Sequence, residues 1–545
     1  MALRLPFFLS CALIVLAVNS QASRAVEPRF AGGPSAAPID LEERVAQLEE
    51  ELTRTTAELR RQQSRLDHQD SRLERLPATD EEGQSAAFVS VRDSTSLRDT
   101  AAGEAPGDGR AKISEGVDVG SDLSFKARWN NGLLFETPAK DFTMHVGGRF
   151  HYDWVWFDPS ASLEAPPAAG GLGPFQDGAF IRRARFQMDG KMWEIVDWNV
   201  ELDFAGLDQA STQDTFNRAA ASKETVLQDC WLQASELPVV GHLRAGHLKQ
   251  PIGLENYNSS KFLTFMERGA LHDAFLQEYD PGFLLWDNAY NDQLWWGTGF
   301  YRIDAEETGH DYGDGEYAWT SRLAFLAWDN PEHRYLLHLG GAYSLRSAEF
   351  DPATGKDVVR FRARPELRGT PRFVDTGTLE AEDVDLLGAE LAWVQGSLSV
   401  QGEYMLSHVD NAAIAATGVP VGDADLQGYY VFVSYFLTGE HRPYDTSVAA
   451  FGRVKPHENF WLVRTQDGAC LGRGAWELVA RYSSVDLNDA GINGGILDQT
   501  TLGVNWYWNP NVRWMFNYIW SERDIAAPQQ SGELHTLAMR IALDF

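Results

Sequence analysis

The chain ends with HTLAMRIALDF, residues 535–545, and this segment decides the fold class. Its odd-numbered positions are almost all apolar, whereas Thr536, Arg540 and Asp544 lie between them. A period of two places the two sets on opposite faces of a β-strand. Because the segment stops on the aromatic residue Phe545 and the alternation recurs upstream, it is typical of the closing strand of a membrane-spanning β-barrel.

The same alternation recurs from about residue 119 onward. In residues 143–158, the polar residues Arg149, His151 and Asp153 alternate with aromatic and aliphatic ones, so we expect them to face a water-filled lumen. In residues 180–192 the predicted outer face is Phe180, Ala184, Phe186 and Met188, and the predicted inner face is Arg183, Arg185, Gln187, Asp189 and Lys191. At ~10 residues per spanning strand, residues 119–545 predict an all-β fold, a roughly 16-stranded antiparallel transmembrane β-barrel.

The N-terminus has the composition of an export signal. Arg4 is a minimal basic region, an apolar run follows over residues 5–18, and Ser20-Gln21-Ala22 is a small-residue cleavage site. We therefore expect residues 1–22 to be a signal peptide and residues 23–39 a short linker. Together with the strand pattern, this predicts a barrel in the lipid of the outer membrane of a Gram-negative-type cell.

Residues 40–76 carry an unbroken heptad pattern. One core position is apolar throughout, and the other becomes polar in its middle heptads, which lowers the stability of a helical bundle. The first set is Val45, Leu52, Leu59, Leu66 and Leu73, and the second is Leu41, Leu48, Thr55, Gln62, Gln69 and Leu76. We predict an N-terminal α-helical coiled coil in the periplasm, which offers a surface for a periplasmic partner; a single solvated helix is the alternative. Residues 77–118 lack periodicity and are predicted to be a flexible low-complexity linker.

Composition narrows the function further. A net charge of -31 argues against a nucleic-acid partner. Cys230 and Cys470 remain after signal removal; their spacing favours two unpaired thiols over one disulfide, and the chain shows no metal-ligand pattern. No nucleophile stands beside a histidine in a catalytic motif, so the sequence predicts neither an enzyme nor a bound cofactor.

Several blocks of the barrel region resemble one family. They are Gly147-Gly148-Arg149, Phe180-Ile181-Arg182-Arg183-Ala184, Asp203-Phe204-Ala205-Gly206, residues 253–261, Phe265-Met266-Glu267-Arg268, Leu437-Thr438-Gly439-Glu440, residues 474–478 and residues 501–507. In this order they resemble the phosphate-selective porin O and P family over nearly the whole barrel. The coiled coil lies outside the resemblance.

The resemblance implies a homotrimer of barrels, each narrowed by an infolded third loop and lined by arginines that attract small anions, with phosphate or polyphosphate as candidates. Guanidinium groups suit this role because they stay charged and donate two hydrogen bonds to one oxyanion. The implied constriction residues are Arg149, Arg182, Arg183, Asp229, Ser259, Ser260 and Arg268. The implied outer arginine ladder is Arg360, Arg362, Arg364 and Arg368.

One position departs from the family pattern. Phosphate-specific members have a lysine after Gly-Leu-Glu in the infolded loop, whereas this chain has Asn256. The loss of a cation there predicts weaker anion binding, which Lys249 or Lys261 could offset. Other readings stay open: a general or weakly selective porin for small hydrophilic solutes, or a structural outer-membrane protein tethered by its coiled coil. The ladder arginines could also form a solvated loop, and Arg182 and Arg183 could pair with carboxylates across strands.

Overall fold

The structure is a computed structural model that describes residues 119–205, 225–276, 279–303, 316–330, 332, 334–351, 354–465, 468–526 and 530–545. The predicted signal peptide, short linker, coiled coil and low-complexity linker lie outside these residues. Among the described helices, none combines the length and the apolar character needed to cross a bilayer.

Strands dominate the described residues. In chain order they are β1 (Lys126–Trp129), β2 (Leu133–Glu136), β3 (Thr143–Pro159), β4 (Gly178–Met192), β5 (Val196–Asp203), β6 (Val226–Leu237), β7 (Gly241–Leu248), β8 (Asp280–Ala289), β9 (Leu294–Arg302), β10 (Tyr317–Asn330), β11 (Tyr335–Ser347), β12 (Glu349–Asp351), β13 (Lys356–Val359), β14 (Arg362–Ala363), β15 (Val374–Asp375), β16 (Leu379–Glu380), β17 (Asp383–Gln395), β18 (Leu398–Ile414), β19 (Val419–Phe436), β20 (Tyr444–Asp445), β21 (Ala450–Phe451), β22 (Trp461–Thr465), β23 (Gly468–Gly472), β24 (Ala475–Asp489), β25 (Ile492–Asn509), β26 (Val512–Asp524) and β27 (Gly532–Asp544). The helices are α1 (Ala161–Glu164), α2 (Leu254–Tyr257) and α3 (Ala270–Phe275), with a 3-10 turn at Pro167–Ala169.

The described strands form a closed, 16-stranded antiparallel β-barrel. Its members are β3–β11, β17–β19 and β24–β27. Closure joins the last strand to the first: β27 pairs with β3, with Arg540 opposite Asp153, and Phe545 exchanges two backbone hydrogen bonds with Gly148 at 2.7 and 3.0 Å. The predicted barrel and the role of the C-terminal segment as its closing strand are confirmed.

Alternation along each strand sorts side chains between lumen and outer wall. In β3, Arg149, His151 and Asp153 are buried inside, whereas Phe150 and Trp154 are exposed on the outer wall. In β27, Thr536, Arg540 and Asp544 are buried in the same way. These inner and outer faces are those that the period of two predicts.

A β-bulge changes the pattern in β4. The register slips opposite His151 and Tyr152, which pair with Arg183 and Ile181, so that Arg182 is the extra residue. Both consecutive arginines therefore point into the lumen, which strict alternation forbids. The prediction of Phe180 on the outer face is wrong: Phe180 packs against an interior apolar cluster, and Ile181 takes the outer position.

The two ends of the barrel differ in their connections. At one end most turns have two to four residues, such as that between β25 and β26. The connection of residues 437–474 between β19 and β24 is an exception at this end and contains β20–β23. The opposite end carries longer loops, including residues 249–279 and 348–382. By the usual orientation of such barrels, the short-turn end faces the periplasm.

The cysteines in the part of the chain that the structure describes are Cys230, which is half-buried, and Cys470, which is exposed; both are unpaired. The sequence favoured this arrangement over a disulfide.

Candidate functional site

The connection between β7 and β8 folds into the barrel and carries much of the predicted site. Leu254, Phe265 and Leu271 of this infolded segment are fully buried. The Phe265 ring lies 5.3 Å from that of Phe432 on β19, and the Arg481 guanidinium lies 4.2 Å from its centroid. Burial of each large apolar side chain contributes about 1.5–3 kcal/mol. Apolar contacts thus attach the segment to the inner wall.

Backbone carbonyls of the infolded segment are held by side chains of the last four strands. Each of these carbonyls accepts a hydrogen bond from a buried arginine or asparagine. The pairs are Leu263 with Arg513 (2.7 Å), Thr264 with Asn505 (2.8 Å), Met266 with Arg540, and Glu267 with Arg481 (3.1 Å). Several lumen arginines therefore hold the infolded segment inside the barrel.

Glu267 is the centre of a buried charge cluster. Its carboxylate accepts hydrogen bonds from the Nε and Nη2 atoms of Arg182 at 2.9 and 3.1 Å, from Arg540 at 2.7 Å and from Arg183 at 3.4 Å. Burial alone would raise the pKa of Glu267, but the guanidiniums of Arg182, Arg183 and Arg540 hold it well below its ordinary value. Arg182 and Arg183 thus pair with a carboxylate, one of the two readings that the sequence left open.

Arg149 joins the infolded segment to the barrel wall. It donates to Ser260 Oγ at 2.5 Å and also to the Glu201 carboxylate. Glu201 accepts a second hydrogen bond, of 3.0 Å, from Arg185, which in turn donates to Asp203 at 2.6 Å. Two guanidiniums and two carboxylates therefore balance at this point, and the charge of Arg149 is partly compensated.

Arg268 and Lys249 converge on the backbone of Asn256. Arg268 donates to the carbonyls of Glu255 (2.8 Å), Asn258 (3.1 Å) and Asn256 (3.3 Å), and Lys249 Nζ donates to the Asn256 carbonyl at 2.8 Å. The Asn256 side chain is fully buried and its Nδ2 donates to the Ile252 carbonyl at 3.3 Å. Two cations thus lie beside Asn256, the position at which the family resemblance implies a lysine.

A small cavity of about 100 Å³ lies between the infolded segment and the loop of residues 348–382, at the long-loop end. Its lining includes Asn256, Arg268, Arg364 and Arg368. We call it the outer cavity. Glu267 and Glu366 also line it, but each is paired with wall arginines: Glu267 as described above, and Glu366 with Arg481.

Three arginines surround one carboxylate beside the outer cavity. Asp273 accepts hydrogen bonds from Arg372 and from the backbone N–H of Arg364 at 3.0 Å, and the Arg364 Nε lies 3.5 Å from it. Burial raises the pKa of Asp273, but Arg372, Arg364 and Arg368 outweigh that effect and leave the pKa below its ordinary value. Among the described residues, three guanidiniums thus lie around this one carboxylate.

The other two predicted ladder arginines lie apart. Arg360 is exposed and forms a two-point ion pair with Asp375, one bond of which is 2.8 Å. Arg362 begins β14, a short strand paired with β15. Neither is among the described residues that line the outer cavity. The structure thus brings only Arg364 and Arg368 of the ladder to that cavity.

A larger cavity of about 1020 Å³ lies toward the short-turn end, and we call it the inner cavity. The predicted residues Arg149, Asp229, Ser259 and Ser260 line it. Among the residues that the structure describes, its lining carries five basic residues against five acidic ones, together with three histidines. The basic residues are Arg149, Lys249, Lys261, Arg453 and Lys455, the acidic ones are Asp189, Glu201, Asp229, Glu440 and Asp445, and the histidines are His145, His441 and His457.

Sequence reasoning did not predict the contacts of several residues in this arrangement. Arg540 and Arg185 occupy inward positions of alternating strands, so periodicity marked them as lumen residues without indicating their partners. Glu267 stands in one of the quoted family blocks, but nothing local signals that it pairs with arginines of β4 and β27. Several residues of 440–457 line the inner cavity, but their sequence shows no alternation that would have predicted a position in the lumen.

The chain is similar to several known proteins. The model of the family "Phosphate-selective porin O and P" matches residues 146–545. Porin O of Pseudomonas aeruginosa is 26% identical over 442 residues, which cover 74% of this chain and 88% of that protein. An uncharacterized protein of Caulobacter vibrioides is 26% identical over 435 residues, 76% of each chain. Among solved structures, the anion-selective porin from Comamonas acidovorans matches with a TM-score of 0.43 and 11% identity, covering 74% of this chain and 100% of that chain.

Proposed function

We infer that this chain, which belongs to the phosphate-selective porin O and P family and is an outer-membrane porin, conducts small anions in preference to cations. One observation carries this inference. Arg364, Arg368 and Arg372 surround a single carboxylate, Asp273, at the long-loop end of the lumen. A positive excess at a pore mouth raises the local concentration of anions.

Beyond the outer cavity, the proposed path offers hydrogen-bond donors to an anion but carries little net charge. From the outer cavity an anion passes the infolded segment, where Ser259 and Ser260 line the inner cavity beside Arg149. Conduction needs sites that attract an ion without retaining it. A charged mouth followed by hydroxyl groups and a charge-balanced inner cavity supports rapid anion passage.

The second candidate function is a weakly selective porin for small hydrophilic solutes. The balanced charges of the inner cavity favour it, because equal numbers of cations and carboxylates attract neither sign of ion. The ion pairs that Arg149 and Arg182 form with carboxylates also weaken the attraction of these arginines for anions. The two candidate functions differ in how much the arginines beside the outer cavity contribute to the preference for anions. Substitution of these arginines separates the two.

The pore itself is tested by reconstitution. The purified protein in a planar bilayer should pass ions in discrete, steady conductance steps, and phosphate should reduce chloride current if it binds in the lumen. Protein that inserts without conductance steps would leave only the structural role, a tethered outer-membrane protein, as an explanation.

Asn256→Lys is expected to strengthen phosphate block of chloride current. The variant places an ammonium group beside Arg268 and Lys249, at the position where the family resemblance implies a lysine. A further cation on the infolded segment should bind a doubly charged anion more tightly. The measurement is the phosphate concentration that halves the chloride current. Asn256→Met, which has a long but neutral side chain, is the matched control. An unchanged half-blocking concentration in Asn256→Lys would show that this position does not determine phosphate binding.

We also propose that the chain assembles as a homotrimer, with residues 40–76 as a periplasmic coiled coil and residues 77–118 as its linker. The heptad pattern supports this organisation, because helices tethered to neighbouring barrels reach a high effective concentration. The polar positions in the middle of the core would leave an isolated helix marginally stable.

Deletion of residues 23–118 should leave barrels that insert and conduct, while lowering the temperature at which trimers dissociate in detergent. The barrel buries its own core, so it does not depend on the helices, whereas the assembly loses a tethered contact. Dissociation is followed by gel mobility on heating. Failure of the deleted protein to insert, or stable dimers of the isolated 40–76 peptide, would contradict the proposed role.

A further inference from the structure

The connection of residues 437–474 lies on both sides of the barrel wall. Its first part, including Glu440, Arg453 and His457, lines the inner cavity. Its second part forms the hairpin β22–β23, in which Leu462 pairs with Leu471 and Val463 with Cys470. We call this the rim hairpin.

Both ends of the rim hairpin are fixed to outward-facing tryptophans of the barrel. The Phe460 ring lies 4.5 Å from that of Trp506, and the Phe460 N–H donates to the Trp508 carbonyl at 2.6 Å. At the other end, the Arg473 carbonyl accepts the indole N–H groups of Trp476 and Trp506 at 3.2 and 2.9 Å. The hairpin therefore begins and ends on the outer wall, outside the lumen.

These tryptophans form an aromatic belt at the short-turn end. Trp476 stacks on Trp506 at 4.9 Å, and Trp508 stacks on Trp514 at 5.7 Å. Farther along the same strands toward the long-loop end, Leu502 is 52% exposed on the outer wall. Aromatic belts of this kind mark the level where a bilayer meets water. The rim hairpin is thus attached at the membrane surface.

The rim hairpin exposes large apolar side chains at that level. Trp461 is 63% exposed, Leu462 53% and Leu471 70%. Leu462 and Leu471 pair across the hairpin and share one face, whereas Trp461 lies on the other face. Exposed apolar side chains on both faces are unusual for a hairpin in water, and they mark contacts with a partner or a membrane. Transfer of these side chains from water into an apolar environment is favourable.

We propose that the rim hairpin inserts into the inner leaflet of the outer membrane and contacts phospholipid. Continuity with the aromatic belt selects lipid over a soluble partner, because the hairpin is held against the very tryptophans that lie at the membrane surface. Lipid contact anchors the segment whose first part lines the inner cavity. The proposal requires a membrane-spanning barrel, and it does not depend on anion preference.

Cys470 provides a probe within the hairpin. The mature, full-length protein carrying Cys230→Ser is labelled at Cys470 with an environment-sensitive fluorophore and reconstituted into phosphatidylethanolamine–phosphatidylglycerol vesicles. Lipid insertion predicts a blue-shifted emission, loss of intensity when the acyl chains are brominated, and protection from aqueous iodide. An emission that iodide quenches and brominated lipid leaves unchanged would overturn the proposal. Protection from both quenchers would overturn it too, because protein would then cover the hairpin.

Two reference positions calibrate the fluorophore emission. Each is a single cysteine introduced into protein in which both Cys230 and Cys470 are replaced by serine. Thr417→Cys reports the exposed turn between β18 and β19 at the opposite end, and Leu502→Cys reports the lipid-facing wall. The Cys470 signal should resemble that of Leu502→Cys. Adding Leu462→Asp and Leu471→Asp should abolish quenching by brominated lipid while stepwise conductance persists, which shows that the barrel is still folded. Undiminished lipid quenching in this variant would contradict insertion through the apolar hairpin.

Discussion

Glu267→Gln is expected to release the infolded segment and produce a wider, noisier channel. The substitution keeps the shape of the side chain but leaves Arg182, Arg183 and Arg540 without their shared carboxylate. Removal of one partner of a buried ion pair costs ~3–5 kcal/mol. Glu267 takes no part in the backbone hydrogen bonds between barrel strands. The cost therefore falls on the packing of the infolded segment against the wall and not on the barrel itself.

Single-channel recordings give the readout for Glu267→Gln. We expect greater open-channel noise and a higher mean conductance than in the wild type, with unchanged resistance of the barrel to heat in detergent. Glu380→Gln is the matched control, because Glu380 pairs with the exposed Lys356, and an exposed pair contributes at most about 1 kcal/mol. Wild-type noise and conductance in Glu267→Gln would show that the cluster does not hold the segment.

The double variant Arg364→Gln and Arg368→Gln is expected to reduce the preference for anions several-fold. The variant removes two of the three guanidiniums that lie around Asp273, and it therefore makes the charge beside the outer cavity more negative by two units. A unit charge at ~4 Å is worth about 1 kcal/mol in water, a factor of about five in local ion concentration.

The ratio of chloride to potassium permeability measures this effect. Arg360→Gln makes the same chemical change on the same loop, at an exposed arginine paired with Asp375, and should leave the ratio unchanged. Equal ratios in the wild type and the double variant would place selectivity elsewhere and favour the weakly selective porin. A large effect of Arg360→Gln would instead support the full ladder that the family resemblance implied.

The period of two was sufficient to predict most of the barrel. It marked Arg149, His151, Asp153 and Arg540 as lumen residues and identified the C-terminal segment as the closing strand. It failed at Phe180, because alternation contains no information about a bulge. Arg182 and Arg183 are consecutive, and neither guanidinium suits a wall that faces lipid, so this pair was the available sign that the register slips in β4.

The candidate site was less predictable, because its contacts join distant parts of the chain. Glu267 and Arg540 are 273 residues apart, and Arg149 and Ser260 are 111 apart. Local pattern gives the face of a residue but not its partner. The lumen position of residues 440–457 was unpredictable for another reason: an irregular segment carries no periodicity that could place it in a barrel.

The reversal potential of the wild-type protein in a potassium chloride gradient tests the central claim most directly. It reports the sign of the charge that permeating ions encounter, summed over the outer cavity, the infolded segment and the inner cavity. The three guanidiniums around Asp273 at the outer mouth predict a potential of the sign that chloride selectivity produces, and this potential should shrink as salt screens the arginines. A potential of the sign that potassium selectivity produces would contradict the account.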